Sequence, residues 1–307
     1  MTTGRKPNHN SRYIDEINCL TIWGVGLIGG SLGLALKRNG FKGKLVGLGR
    51  NLERLQVALD LDAVDSITTD IQEGIFESEL IVLCTPVSIV PDNVLQIAKF
   101  QQTQNRHTLI TDVGSTKSSL VRTIERELES LNSDTVSFVG GHPMAGSHER
   151  GVKSAKHNMF EGAKCIITPT EATDEHSLNR IRDLWNFVGS QTHECSPEVH
   201  DLLIGAASHF PHLIASLLTN TVADVITPNG RALDFTATGF RDTTRIAAGS
   251  PDLWTGIFMH NNQVMISLID DFVNRLTDLK DLLRSNDNVE IDRILSEAVT
   301  TVKEKMV

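Results

Sequence analysis

Four stretches of the chain combine residue types that could do chemistry. In Gly140-Gly141-His142-Pro143-Met144-Ala145-Gly146-Ser147-His148, a histidine stands between a glycine pair and a proline. A backbone held in that way fixes the imidazole, whose titration near neutrality suits a proton acceptor; a buried histidine completing a turn would leave the same trace. Ser208-His209-Phe210-Pro211-His212 puts two more histidines in a helical stretch interrupted by proline, a break that often marks a site. Gly239 to Ala248 carries Arg241, Asp242 and Arg245. A guanidinium fork is the natural clamp for a carboxylate, with a surface salt bridge to Asp242 as the alternative, preferred for Arg241. Asp112-Val113-Gly114-Ser115-Thr116-Lys117 and Thr85-Pro86-Val87 each follow a strand, where doubly wound sheets place ligands. Ser115 could bond a ligand there, although spacing alone favours an ordinary helix N-cap.

Gly24-Val25-Gly26-Leu27-Ile28-Gly29 lies between a strand and a helix near the start of the chain. Gly24 suits a tight turn, Gly26 a close approach of backbone to pyrophosphate, and Gly29 close helix packing. The free N–H groups of the following helix, beginning at Leu27 and Ile28, favour an anion. A dinucleotide is the expected cofactor. The second strand ends in Gly49-Arg50 instead of the acidic residue that selects NAD. Arg50 could pair with a 2′-phosphate, so NADP is expected to be tolerated or preferred; a solvated or adenine-stacked Arg50 would leave NAD acceptable.

These groups need elements to place them. Short β-branched runs at 19–23, 44–48, 80–84, 108–112, 136–139, 164–168 and 191–194 alternate with amphipathic helical stretches. That alternation predicts an α/β, mostly parallel sheet of Rossmann type. After Ser196-Pro197-Glu198, an N-cap followed by proline at the first helical position, strand signals vanish and an all-α domain is expected. Its long stripe of Val264, Leu268, Phe272, Leu276, Leu279 and Leu283 needs a partner, within the domain or in a second subunit. The division expected is a disordered tail over 1–12, a nucleotide domain over 13–196 and a helical substrate and dimerisation domain over 197–307.

The length of 307 residues is ordinary for two domains, and the net charge of −9 comes without a basic block, so a nucleic-acid partner is not expected. Four scattered cysteines without C-x-x-C spacing argue against a zinc site and a disulfide framework, and no metal is expected. A polar N-terminus and the lack of any apolar stretch approaching the ~18 residues of a membrane span suggest a cytoplasmic chain with no membrane partner.

In collinear order from about Leu20 to Asn261, these segments, together with Thr244-Arg245-Ile246-Ala247 and Pro251-Asp252-Leu253-Trp254, resemble the prephenate/arogenate dehydrogenase family of tyrosine biosynthesis. The resemblance implies a homodimeric NAD(P)-dependent enzyme that oxidatively decarboxylates prephenate to 4-hydroxyphenylpyruvate, with arogenate or dual cyclohexadienyl specificity as the alternative. It implies that His142 bonds the substrate ring hydroxyl, that Ser115 supports that geometry and that Arg245 binds a substrate carboxylate. His212 and Ser147 become further substrate contacts and Trp254 a pocket wall, while Thr85 and Pro86 join Arg50 and the glycine loop at the cofactor. The chain departs from many relatives at His148, a position often acidic, with Glu149 one residue later. A non-catalytic nucleotide-binding redox sensor would need the glycine loop but no histidine–arginine pocket.

Overall fold

The computed structural model describes residues 13–147 and 149–305; the expected tail over 1–12 and His148 lie outside them. The first half alternates strand and helix: β1 Cys19–Trp23, α1 Leu27–Arg38, β2 Lys44–Leu48, α2 Leu52–Asp60, β3 Ser66–Thr68, α3 Ile71–Ile75, β4 Leu80–Leu83, α4 Val90–Gln104, β5 Thr108–Asp112, α5 Ser118–Ser130, β6 Val136–Pro143, β7 Lys164–Thr168, α6 Glu175–Phe187 and β8 Gln191–Glu194. They form one eight-stranded sheet in the order β3-β2-β1-β4-β5-β6-β7-β8. Strands β1, β4 and β5 are buried along their whole length. Helices cover both faces of such a sheet, which is why these strands read as continuous apolar runs instead of alternating ones. The order reverses between β1 and β4, opening the crevice at the carboxyl ends where doubly wound sheets bind ligands.

All pairings in the sheet are parallel except β6 with β7. Strand β6 pairs with β5 over residues 136–139, then runs on through Gly140 to Pro143 against β7, placing His142 opposite Ile166. The sequence suggests a strand ending at Val139, because a glycine pair reads as a breaker. Here the glycines admit a close approach instead. A Cβ on Gly140 would stand 2.4 Å from Thr168 Oγ1, and one on Gly141 would stand 2.9 Å from the Asp112 carbonyl oxygen. Strand β3, three residues of ordinary polarity, carries no signal of its own in the sequence.

The second half is helical: α7 Pro197–Ile204, a π-helical turn Gly205–His209, α8 Phe210–Ala223, α9 Thr238–Thr244, α10 Pro251–His260, α11 Asn262–Ser285 and α12 Asn288–Lys305. Ser196 caps α7, its Oγ accepting from the Val199 N–H at 3.3 Å, with Pro197 at the first helical position. Two corrections arise here. A short antiparallel hairpin, Ile226–Thr227 with Gly230–Arg231, interrupts a stretch expected to be wholly helical. The π turn also joins α7 and α8 into a 27-residue run, Pro197–Ala223, long and apolar enough by length and composition to cross a bilayer. Pro211 conceals this continuity in the sequence; the π-helical turn before it, closed by the Phe210 N–H on the Gly205 carbonyl, carries the run past the missing N–H. Within the run, His200, Asp201, His209 and His212 are buried while Leu202, Leu203 and Leu217 are exposed.

Candidate active site

Burial of charged and polar groups at the carboxyl end of the sheet defines the site. His142, next to the last residue of β6, is almost wholly enclosed, and its Nδ1 lies 2.9 Å from Nε2 of His200 on α7. His200 Nδ1 in turn lies 2.8 Å from Asp201 Oδ1. An ionised carboxylate only accepts, so His200 donates from Nδ1, and in its neutral form must accept at Nε2. His142 therefore donates from Nδ1 and carries its lone pair on Nε2. Burial, first, then the neighbouring His200 and Lys117 hold the His142 imidazole well below its ordinary titration range. Burial also lowers His200, against the opposing pull of Asp201. The arrangement is a neutral imidazole with an open lone pair, fixed in tautomer by a second imidazole and a carboxylate.

Asp201 does more than end this relay. Its Oδ1 and Oδ2 accept the N–H groups of Lys117 and Ser118, each at 2.8 Å, and so close the N-terminus of α5 from across the two halves of the chain. Ser115 is not the cap of that helix, contrary to what spacing favours. It stands in the loop before it, half-buried, with no hydrogen bond from its hydroxyl among the described residues. Asn261 Nδ2 donates to the Asp201 carbonyl at 2.9 Å and lies 3.2 Å from His209 Nδ1, tying the end of α10 to the same cluster.

The nucleotide loop is equally defined. Gly24 takes φ +102°, and a Cβ there would stand 2.7 Å from the Cys84 carbonyl oxygen, so the turn requires glycine. A Cβ on Gly29 would meet the Gly24 carbonyl oxygen at 2.4 Å, whereas one on Gly26 would meet nothing within 4 Å. Gly26 thus borders open space at the start of α1, and the N–H groups of Leu27, Ile28 and Gly29 have no acceptor among the described residues. An open cradle lined by unpaired N–H donors fits a pyrophosphate. Gly49 and Arg50 follow β2 beside it, and Arg50 is exposed with no ion pair among the described residues. Thr85 and Pro86 follow β4 across the crevice, with Thr85 Oγ1 accepting from Asn93 at 3.1 Å.

Comparison with known proteins places this architecture. Residues 32–194 match the nucleotide-binding domain of prephenate dehydrogenase and residues 196–297 its dimerization domain. The chain belongs to the prephenate dehydrogenase family. It is 33% identical to the prephenate dehydrogenase of Bacillus subtilis, over 90% of this chain and 72% of that protein. It is 30% identical to the cyclohexadienyl dehydrogenase of Zymomonas mobilis, over 87% and 89%. The Aquifex aeolicus prephenate dehydrogenase, solved with hydroxyphenyl propionate and NAD+, superposes with a TM-score of 0.85 at 34% identity, covering 94% of this chain and 98% of that one.

The remaining residues singled out in the sequence of this dehydrogenase family member fall into two groups. His212 and Trp254 come together: their rings stack at 3.6 Å between centroids, with Phe258 beside both. Gly249 abuts the stack, since a Cβ there would lie 2.3 Å from Trp254 Nε1 and 2.9 Å from His212 Cε1. Helix α10, which carries Trp254, packs on the turn Val87–Ile89 and so leans over the nucleotide crevice. Arg245 begins the turn that ends at Ala248 and packs on α8. It is exposed and unpaired among the described residues, as is Arg241, so the salt bridge expected of Arg241 is not made. Ser147 is exposed, its Oγ accepting from the Glu149 N–H at 3.1 Å. Among the described residues no hydrogen bond joins Ser147 to the histidine cluster.

Sequence reasoning missed His200, Asp201 and Asn261, and left Asp112, Lys117 and His209 inside motifs without roles. One signal was present. A His-Asp pair inside the apolar run Val199 to Ile204 is out of place on a helix that buries its face, unless both side chains are matched.

Proposed function

We propose that the chain oxidises and decarboxylates prephenate to 4-hydroxyphenylpyruvate in tyrosine biosynthesis, with NAD(P)+ as hydride acceptor. The observation that carries this reading is the His142–His200–Asp201 relay, which leaves a neutral His142 Nε2 lone pair at the same end of the sheet as the glycine-loop cradle.

The cradle of Gly24, Gly26, Leu27, Ile28 and Gly29, with Thr85, Pro86 and Arg50 around it, would hold the dinucleotide. When bound, its nicotinamide accepts the hydride from ring C4 of the substrate. His142 Nε2 takes the proton of the C4 hydroxyl as the C4–O bond becomes a carbonyl, and loss of the quaternary carboxylate as carbon dioxide aromatises the ring. The proton on His142 is then shared with His200 and balanced by Asp201. Ser115, whose hydroxyl has no partner among the described residues, supports the hydroxyl or the nicotinamide. Arg245 pairs with a substrate carboxylate, and must hold the departing group no more tightly in the ground state than in the transition state. The His212–Trp254 stack and Ser147 complete the pocket. Absence of a carboxylate after β2, together with Arg50, supports NADP as an accepted or preferred cofactor. Exposed aliphatic residues on the helical half support a homodimer as the working form.

The test is NADH and NADPH formation with prephenate and with arogenate in parallel, for the wild type and His142→Asn. Turnover of prephenate that falls at least ~10³-fold in the variant, with nucleotide affinity little changed, is expected. Preference for arogenate would move the substrate assignment to an arogenate dehydrogenase, and comparable use of both substrates to a cyclohexadienyl dehydrogenase. Unchanged turnover in His142→Asn would remove His142 from the chemistry.

A further inference from the structure

Beneath His142 lies a buried cation to which the reaction above gives no task. The side chains of Lys117 and Asp112 are wholly enclosed, with Lys117 Nζ 2.6 Å from Asp112 Oδ2. An enclosed ammonium needs partners for its three donors. Lys117 has them in Asp112 Oδ2, the Gly114 carbonyl at 2.7 Å and the Thr116 carbonyl at 3.2 Å. Asp112 is equally engaged: Oδ2 also accepts the Gly114 N–H at 2.8 Å, and Oδ1 accepts the Gly141 N–H at 3.1 Å.

One ion pair therefore bonds both to the loop that presents Ser115 and to the strand residue just before His142. The backbone of Lys117 reaches the third part of the relay, since its N–H is one of the two held by Asp201. Its aliphatic stem runs past Gly140, where a Cβ would stand 3.2 Å from Lys117 Cδ. An apolar pair of the same volume would leave the Gly114 and Thr116 carbonyls and the Gly114 and Gly141 N–H groups unpaired in the interior, so the two charges hold this backbone in one arrangement.

We propose that Lys117, paired with Asp112, is the positioning residue of the proton transfer, holding the Ser115 loop, the His142 strand and the Asp201 carboxylate in one register. This rests on His142 being the proton acceptor. Around His142 the facing groups are His200 and Asp201 from α7, His209 from the π turn, Cys165 of β7 at its backbone, and Asp112 and Lys117 below. Among them Lys117 is the fixed cation, and it acts in the same direction as burial, keeping the imidazole unprotonated.

The test compares Lys117→Met and the charge-neutral double variant Lys117→Met/Asp112→Asn with wild type. It measures kcat against pH and the imidazole titration of His142 by NMR in the nucleotide-free protein. Expected are a fall in kcat of roughly tenfold or more, KM and nucleotide affinity within about threefold, and movement of both the acid limb and the NMR midpoint to higher pH. A merely structural lysine would lower folded yield or kcat at every pH while leaving both midpoints at their wild-type positions, and that result overturns the proposal. If the single variant does not fold, the double variant decides by the same readouts. If His142→Asn keeps its turnover, the proton-acceptor reading fails separately, while the NMR midpoint still reports on Lys117.

Discussion

A side chain's protonation here depends on partners that sequence spacing does not display. His142 and His200 are 58 residues apart and meet only because α7 of the helical half crosses the end of β6. The motif around His142 was legible because its glycines and proline constrain the local backbone; the partner that fixes its tautomer was not, because that is a tertiary contact. His209 shows the same limit and carries a consequence for acid stability. Asn261 Nδ2 can only donate, so His209 Nδ1 accepts and its Nε2 carries the proton, buried and without a partner among the described residues. Burial lowers its pKa to about 4, against an ordinary value of 6.5. Since the unfolded chain binds this proton more readily, the stability His209 contributes is intact above pH 6.5. It drains away as pH falls toward 4 and reaches roughly 2 kcal/mol of loss by pH 5. Urea unfolding at pH 7 and pH 5 should show a smaller difference for His209→Asn than for wild type by about that amount. Equal differences would assign the acid sensitivity to the other histidines.

At the level of elements, the sequence was most readable where local pattern and fold agree. The glycine loop, the buried strands and the Ser196-Pro197 start of α7 follow from turn sterics, continuous apolar runs and capping. It was least readable where a neighbour overrides local preference, as at Gly140 and Gly141, which continue β6 because Thr168 and Asp112 press against them, and at Ser115, displaced as cap by Asp201. Cofactor choice belongs to this scale, because it is set by the end of β2. Gly49 has no positive φ, and a Cβ on it would meet only Leu55 side-chain atoms, the nearest at 3.3 Å, so a side chain there displaces a flexible group and not backbone. Gly49→Asp should fold, accept the ribose 2′-hydroxyl and repel a 2′-phosphate. The ratio of kcat/KM for NADP to that for NAD is expected to fall about tenfold or more, because NAD acquires a charge-assisted hydrogen bond while NADP meets a like charge. An unaltered ratio would locate selectivity away from this strand.

For the molecule as a whole, the balance that the sequence leaves open between internal packing and a subunit interface divides along one helix. On α11, Val264, Leu268, Phe272 and Leu279 are half-buried, with Phe272 packed edge-on to Phe210 of α8 at 5.4 Å. Ile266, Val273, Leu276 and Leu283 are half or more exposed, at spacings of seven, three and seven. That spacing places them on one heptad stripe, the pattern of a helix packed against another helix. Met265 alone is fully buried in these 24 residues, so the outer stripe has no cover among the described residues. Leu295, Val299 and Val302 extend the apolar surface along α12. The match of residues 196–297 to a dimerization domain gives a second copy of the chain as the natural cover. Two-fold symmetry presents each residue twice, so Leu276→Glu/Leu283→Glu removes four leucine side chains per dimer. At about 1 kcal/mol for each half-exposed leucine, roughly 4 kcal/mol of association is lost, or about a thousandfold in Kd. Sedimentation velocity at micromolar concentration should show a dimer for wild type and a monomer for the variant, with the α/β half still able to bind nucleotide. Two species of equal size would place the interface on another face of the helical half.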